Sequence, residues 1–210
     1  FLIFLIVSSL VVLIIEIFMP FFVAILAPGF IYDPEKFSEL VKASRIIFPF
    51  LILISVSSIF ASILNSHNKF ALSAALPIIL NITLIIALII AAYIAADFLI
   101  YLSWGVIIGG LFQILLLILA LKRENIFFSF STKIYTNYIK RFTKLFTASF
   151  FSSGLLQINI LIGTIIASYE SGAISYLYYA DRVYQLPLAL VGIAIGIALL
   201  PSISGKIKTD

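Results

Sequence analysis

Long apolar runs recur along this chain, and nearly all of its charge is confined to the short segments between them. The hydrocarbon core of a bilayer is about 30 Å thick, so a helix needs roughly 20 apolar residues to cross it. Apolar residues make up 63% of the chain and charged residues 10%, against about 45–50% and about 25% in a soluble domain. The sequence therefore predicts a polytopic membrane protein.

Six membrane-spanning helices are predicted. The runs are too long for the strands of a membrane barrel and lack the alternation that a barrel requires, so the expected fold is an all-α helix bundle. The third and fourth spans are separated only by Ala96 and Asp97, which predicts a tight hairpin. Pro49, Pro77 and Pro187 are expected to start or kink helices. The predicted spans are 1–27, 45–64, 76–96, 98–121, 146–168 and 175–203.

The distribution of Lys and Arg predicts the orientation of the bundle, because cytoplasmic loops carry an excess of positive charge. Nine of the thirteen basic residues follow the second, fourth or sixth span. Residues 122–145 should therefore be cytoplasmic and residues 28–44 should face outward. The nine residues are Lys69, Lys122, Arg123, Lys133, Lys140, Arg141, Lys144, Lys206 and Lys208.

The basic linker 122–145 has a pattern of its own. Tyr135, Tyr138, Phe142 and Leu145 recur at helical spacing between its basic residues. Such a pattern is typical of a helix lying at the anionic inner leaflet. A solvated connector that also fixes the topology would have the same composition, so both interpretations remain.

Composition excludes several classes of function. Cysteine is absent and histidine occurs once, so no disulfide framework, metal centre or other cofactor is expected. The net charge of +4 does not indicate nucleic-acid binding, because the basic residues segregate to one side of the predicted spans. The sequence begins at Phe1 inside an apolar run, and we expect it to be an internal piece of a longer protein.

The candidate binding residues lie on one face of the sixth span, at steps of three and four residues. This face is polar in its outer half and carries small residues in its inner half, which would allow a helix or ligand to approach closely. The polar residues are Ser175, Tyr178, Arg182 and Gln185, and the small ones are Ala189, Gly192 and Gly196.

Arg182 is the most informative of these residues, because it lies about 10 Å inside the predicted span. A buried Arg costs several kcal/mol unless it faces water or a partner, and its guanidinium can bind phosphate in a bidentate manner. One interpretation is a contact with an anionic ligand in a polar cavity. The others are snorkelling to the outer interface and a structural pairing with Asp181 or Gln185.

Two further polar stripes occur in the spans. Serine and threonine can bond to carbonyls of their own helix, so each stripe alone favours packing, whereas the three stripes together favour a polar cavity. Glu16 is another charge inside a span; a helix outside this chain could supply its partner, and no role is assigned to it. The stripes are Ser55, Ser58, Ser62 and Asn65 in the second span, and Ser153, Gln157, Thr164 and Ser168 in the fifth.

Several strings, in this order and spacing, resemble the MurJ/MviN family of lipid II flippases over essentially the whole chain. Tyr178-Tyr179-Ala180-Asp181-Arg182 followed by Leu186-Pro187 is the most specific of them. The others include Ala27-Pro28-Gly29-Phe30, Arg45-Ile46-Ile47-Phe48-Pro49-Phe50, Ile63-Leu64-Asn65-Ser66, Pro77-Ile78-Ile79-Leu80-Asn81 and Leu200-Pro201-Ser202-Ile203-Ser204.

The resemblance implies a fold of fourteen helices in two lobes, within the multidrug/oligosaccharidyl-lipid/polysaccharide exporter superfamily. The six spans would correspond to the third to eighth helices of the family. Residues 1–121 would supply four helices of the first lobe, residues 122–145 a basic cytoplasmic linker, and residues 146–210 the first two helices of the second lobe.

The resemblance also implies a function, namely movement of the undecaprenyl-pyrophosphate-linked peptidoglycan precursor, lipid II, from the inner to the outer leaflet by alternating access. Arg182 matches a required arginine of the central cavity and Ser175 a serine that lines it. Many members have Glu where this chain has Gln185, which puts a carboxylate role there in doubt, and the fifth span has no carboxylate to support a sodium site.

The expected protein is thus a multi-pass transporter of the bacterial inner membrane and not an enzyme. Its expected partners are the lipid-linked precursor, membrane lipids and proteins of cell-wall synthesis, with no nucleic acid. Two alternatives remain open: a flippase for another lipid-linked oligosaccharide, and a membrane scaffold that recruits cell-wall enzymes without transporting anything.

The predicted orientation can be tested with single cysteines at Ser131 and Ser38. An impermeant thiol reagent, applied to intact cells with a permeabilised outer membrane, should label position 38 and leave position 131 unlabelled, because the basic segment faces the cytoplasm. Labelling at position 131 but not at position 38 would reverse the topology.

Overall fold

The computed structural model describes residues 2–126 and 136–187, and these residues fold almost entirely into α-helices. No strand occurs in these two ranges, and the expected all-α membrane bundle is confirmed. The elements in chain order are α1 (Leu2–Ile17), α2 (Met19–Leu26), a 3-10 helix η1 (Pro28–Tyr32), α3 (Pro34–Ile47), α4 (Phe50–Ser66), α5 (Phe70–Tyr93), α6 (Phe98–Arg123), α7 (Thr136–Ala167) and α8 (Ala173–Pro187).

The first predicted span is not one straight helix. α1 and α2 meet at Phe18 and are bent by 82° relative to each other. Pro20 follows directly; its ring removes the N–H that would bond to the carbonyl of Glu16 and cannot pack against that carbonyl, so a regular helix cannot continue. The predicted span over 1–27 is therefore divided into two helices at Phe18, a break that the sequence analysis did not predict.

The second span is longer than predicted. Asp33 caps α3, since its Oδ1 accepts the backbone N–H of Lys36 at 3.2 Å and its Oδ2 lies 3.3 Å from the ammonium of Lys36. The amide and then the ammonium of Lys36 lower the pKa of this exposed carboxyl. α3 and α4 follow each other across Phe48 and Pro49 as one 33-residue helical stretch, Pro34–Ser66. The polar segment after η1 is thus a helical extension of the span.

The predicted hairpin between the third and fourth spans is confirmed. α5 ends at Tyr93, and Asp97 caps α6 by accepting the N–H groups of Leu99 and Ile100 at 2.9 and 3.4 Å. Pro77 neither starts α5 nor ends it, because the helix begins at Phe70 and continues through the proline.

Close approach of α5 and α6 depends on glycines. A Cβ at Gly105 would lie 2.8 Å from the Cβ of Ala87, and one at Gly109 would lie 2.5 Å from Oγ1 of Thr83. Small residues four apart allow helix backbones to pack closely. Such packing matters in a membrane, because no hydrophobic effect drives helices together there. Gly110 makes the same kind of approach to α4, against the ring of Phe50.

A buried amide and an apolar cluster complete this part of the bundle. Nε2 of Gln113, only 5% exposed, donates to the carbonyl oxygen of Leu76 at 2.7 Å, which satisfies a polar group at membrane depth. The apolar cluster joins α4 to α6 and consists of Val56, Phe60, Ala61, Leu64, Leu117, Ala120 and Leu121.

By length and composition, three helical stretches of the described residues can cross a membrane, or four if α1 and α2 count as one bent span. They are Pro34–Ser66, Phe70–Tyr93 and Phe98–Arg123, and they match the second to fourth predicted spans. The fifth falls within α7, whose helix also includes residues 136–145 of the predicted basic linker. Residues 127–135 of that linker lie outside the described ranges, so the interfacial helix stays a prediction. Of the sixth span, residues 188–203 lie outside the described ranges.

Segments that the sequence assigned to the same side of the membrane lie together. Lys69, after α4, forms an ion pair with Glu124, after α6, with Nζ 2.9 Å from Oε1. At the opposite ends of the helices, Gly29 of η1 contacts Ser168 at the end of α7. These two pairs support the predicted alternation of the chain across the bilayer.

Overpacking at Gly109 tests the proposed reason for the close α5–α6 approach. Gly109→Leu should destabilise the purified full-length protein by about 1–3 kcal/mol, the usual cost of forcing extra atoms into a packed interior, and lower its melting temperature in detergent. Gly154→Leu is the matched control, since a Cβ at Gly154 meets no atom of the described residues within 4 Å. Equal melting temperatures for the two variants would contradict this account.

Candidate functional site

Arg182 is held by an aromatic side chain one turn earlier on α8. Its Nη2 donates to the hydroxyl of Tyr178 at 2.8 Å, and its guanidinium carbon lies 4.8 Å from the centre of the Tyr178 ring. A cation over an aromatic face is attracted by the ring quadrupole. Two interactions therefore fix the direction of the guanidinium along the helix.

Asp181 is engaged by a different neighbour. Nε2 of Gln185 donates to Oδ2 of Asp181 at 2.5 Å. Among the described residues, neither Asp181 nor Gln185 bonds to Arg182. The side-chain partner of Arg182 is Tyr178. The structural pairing of Arg182 with Asp181 or Gln185, which the sequence left open, is therefore not the arrangement observed.

The predicted polar face of α8 contains Ser175, Tyr178, Arg182 and Gln185, and all four side chains are exposed. Exposure does not by itself distinguish this face, because Leu177 and Val183 on other sides of α8 are 46% and 67% exposed. What distinguishes the face is its chemistry. It presents a hydroxyl, a phenol, a guanidinium and an amide in successive turns, with the guanidinium already oriented.

A second polar surface lies between α1 and α4. Ser55, Ser58, Ser62 and Ser66 line a groove of about 490 Å³, which Phe4 and two isoleucines of α4 complete. Three of these hydroxyls donate to carbonyls of their own helix, at 2.7–2.8 Å. These three serines thus satisfy their donors locally, as the packing interpretation expected, and leave only acceptor lone pairs toward the groove.

Asn65, which the sequence grouped with these serines, has a different role. Its Oδ1 accepts the hydroxyl of Ser73 at 2.7 Å and so ties α4 to α5. Spacing along one helix places side chains on a common face but does not reveal the neighbouring helix, which is why this tie could not be predicted.

The residues of the polar stripe predicted along α7 also differ in exposure and in hydrogen bonding. Gln157 is exposed, Thr164 donates to the carbonyl of Ile160 at 2.9 Å, and Ser168 is only 3% exposed. Ser168 packs against Gly29 and does not line an open surface. The side chain of Ser153 lies outside what the structure describes, as do Ala189, Gly192 and Gly196 of the sixth-span stripe.

Glu16, the penultimate residue of α1, has an unusual environment. Its Oε1 is buried and has no hydrogen-bond partner in the structure. Arg45 of α3 is the cation that acts electrostatically on it, yet no ion pair within 4.0 Å joins them. In the described ranges, no group of three or more His, Cys, Asp or Glu side chains is placed so that it could hold a metal ion.

These features describe an α-helical membrane protein with a serine-lined groove between α1 and α4 and an oriented guanidinium on an exposed face of α8. Such polar groups on membrane helices are typical of transporters. The chain matches the family model described as "Lipid II flippase MurJ" over residues 1–210. It belongs to this family.

Individual relatives agree with the family match. The chain is 38% identical over 204 residues to a protein named probable lipid II flippase MurJ from Rhizobium tropici. The aligned region covers 95% of this chain and 38% of that relative. It is 38% identical over 197 residues to one of the same name from Rhizobium meliloti, covering 92% and 37%. A protein named lipid II flippase MurJ from Burkholderia cenocepacia is 33% identical over 183 residues, covering 85% and 36%. The chain therefore spans less than two fifths of the length of these relatives.

Sequence reasoning missed the contact of Tyr178 with Arg182, the amide of Gln113 and the approach of Gly29 to Ser168. The first had a visible signal, because an aromatic residue and an arginine four apart on a helix are neighbours. The other two are contacts between distant segments, and one sequence alone carries no signal for them.

Cysteine accessibility tests the polar face of α8 in the full-length protein. Cysteines at positions 175, 178, 182 and 185 should react with a water-soluble thiol reagent several times faster than cysteines at Leu177 or Val183. Those two positions point elsewhere on a helix of 3.6 residues per turn and would face lipid or neighbouring helices. Equal rates at all six positions would exclude a water-lined face.

Proposed function

We propose that the protein to which this chain belongs moves lipid II from the inner to the outer leaflet of the bacterial inner membrane by alternating access. The geometric observation that carries the proposal is the guanidinium of Arg182, oriented by Tyr178 on an exposed face of α8. Membership of the lipid II flippase family over all 210 residues supports the same substrate.

The chemistry of Arg182 suits a pyrophosphate. Arginine has five N–H donors in a planar fork, and the contact with Tyr178 uses one of them, which leaves about four for phosphate oxygens. Because the phenol oxygen of Tyr178 accepts that bond, its own O–H remains free to donate to the same anion. We infer that the two side chains form one donor set for the pyrophosphate.

Ser175 and Gln185 extend this set along the helix. Ser175 lies about two turns before Arg182 and Gln185 about one turn after it, on the same face. The hydroxyl of Ser175 and the amide of Gln185 can bond to the hydroxyl and amide groups of the sugar, while Arg182 and Tyr178 hold the charge. Since Gln185 is also bonded to Asp181, its contribution is a neutral dipole.

The reaction needs no chemical step, so the proposed activity is that of a transporter and not of an enzyme. Moving a pyrophosphate through hydrocarbon unaided would cost tens of kcal/mol, because an isolated charge loses its hydration. A water-filled route with an oriented guanidinium on its wall replaces part of that hydration. Lipid II, membrane lipids and proteins of cell-wall synthesis are the proposed partners.

Arg182→Ala tests this proposal. In the full-length protein it should abolish complementation of a strain depleted of its lipid II flippase while membrane abundance stays normal. Lys at this position should rescue only partly, since it keeps the charge and loses the fork. Tyr178→Phe, which keeps the ring but loses the hydroxyl, should lower the flipping rate by about 10–100-fold, the worth of a hydrogen bond to a charged group.

Arg123→Ala is the matched control, because Arg123 is an exposed arginine at the far end of α6. It should complement normally. Full growth with Arg182→Ala at normal abundance would remove Arg182 from the mechanism, and would favour a scaffold without transport if flipping in proteoliposomes were also absent. Transport of a lipid-linked glycan other than lipid II by the purified protein would assign the substrate differently.

A further inference from the structure

Gly29 and Ser168 form a backbone contact between segments 139 residues apart in the chain. The N–H of Gly29 donates to Oγ of Ser168 at 3.0 Å, and that hydroxyl donates in turn to the carbonyl of Ile165 at 2.7 Å. Ser168 is 3% exposed. Its hydroxyl is thus used both as donor and as acceptor, within a closely packed junction of η1 and α7.

The glycine is required by proximity and not by backbone conformation. A Cβ at Gly29 would lie 2.1 Å from the carbonyl oxygen of Ser168 and 2.6 Å from the backbone nitrogen of Tyr169. These are backbone atoms, which cannot move aside as a flexible side chain can. The φ angle of Gly29 is outside the left-handed region, so an alanine there is tolerated wherever η1 and α7 stand apart.

This junction provides the main packing between α1–α6 and α7–α8 in the described residues, through α2 and η1 against α7. Ser168 is 3% exposed, whereas Ile166 and Tyr169 beside it are 67% and 62% exposed, so the packed surface of α7 at this junction is narrow. The serine groove of α4 opens on a different surface, between α1 and α4. The closest described contact between the two helical groups therefore lies at the Ser168 end of α7, which is the predicted outer end.

We propose that the contact between Gly29 and Ser168 is a latch that holds the outer end of the transport pathway closed and must separate for the outer side to open. The inference rests on the proposed transport function. It adds a specific pair of residues whose close approach distinguishes the two states, because one state has room for a side chain at position 29 and the other does not.

Side-chain addition at position 29 tests the latch directly. In a cysteine-free full-length protein carrying Thr164→Cys, the thiol lies one turn inward of Ser168, and an impermeant reagent added outside reports access to it. Gly29→Ala should raise the labelling rate at least about fivefold, the factor expected for losing one hydrogen bond alone. Ser168→Ala, which removes the hydroxyl and its bonds to Gly29 and Ile165 but adds no atom to the junction, should raise it less.

Gly154→Ala is the matched control, because a Cβ there meets no atom of the described residues within 4 Å, and its labelling rate should equal that of the parent. Equal labelling of the Gly29→Ala variant and the parent, at normal membrane abundance, would overturn the latch. This measurement involves no substrate, so its result stands even if the transported lipid has been assigned wrongly.

A second experiment holds the contact closed by cross-linking. Phe30→Cys with Tyr169→Cys places thiols beside the contact, and a short, cleavable bifunctional thiol reagent should join them. Joined protein should lose flipping in proteoliposomes and regain it on cleavage, whereas each single-cysteine variant should be unaffected. Flipping at the parent rate by fully joined protein would overturn the proposal, while absence of flipping in the parent itself would instead contradict the proposed function.

Discussion

Backbone amides and carbonyls within a hydrocarbon layer have no water to bond to, and every other property of this bundle follows from that constraint. Helices satisfy these groups internally, which is why nearly all described residues are helical. The same constraint explains the treatment of polar side chains. Gln113 bonds to the carbonyl of Leu76, and Ser58, Ser62 and Ser66 of α4 bond to carbonyls of their own helix. Among the described residues, Oε1 of Glu16 and Oγ of Ser57 are buried without such a partner.

Sequence reasoning recovered those features that depend on one helix at a time. Apolar length predicted the second to fourth spans, and the two residues Ala96 and Asp97 predicted the hairpin between α5 and α6. Helical spacing placed Ser175, Tyr178, Arg182 and Gln185 on one face. Each of these predictions needs only the period and length of a helix, which a single sequence contains.

Features that depend on two segments meeting were beyond the same reasoning. Ser168 was placed in a stripe with Thr164, yet it is buried because η1 returns to it. The bend after α1 follows from Pro20, but its 82° angle is not contained in the local sequence, and α2 packs against the distant helices α3 and α7. Arg182 illustrates the intermediate case, since its partner Tyr178 is local while its proposed ligand is not part of the chain.

The continuous stretch Pro34–Ser66 has a mechanical consequence. Its 33 residues extend over roughly 50 Å at 1.5 Å per residue, whereas the hydrocarbon core is about 30 Å thick. About two fifths of this rod therefore stands outside the hydrocarbon, mainly as α3, with charged side chains such as Glu39 and Lys42 exposed to water. The serine groove lies on α4, in the membrane half of the same stretch. A spectroscopic label on α3 would therefore stand outside the bilayer on the helical stretch that carries the groove.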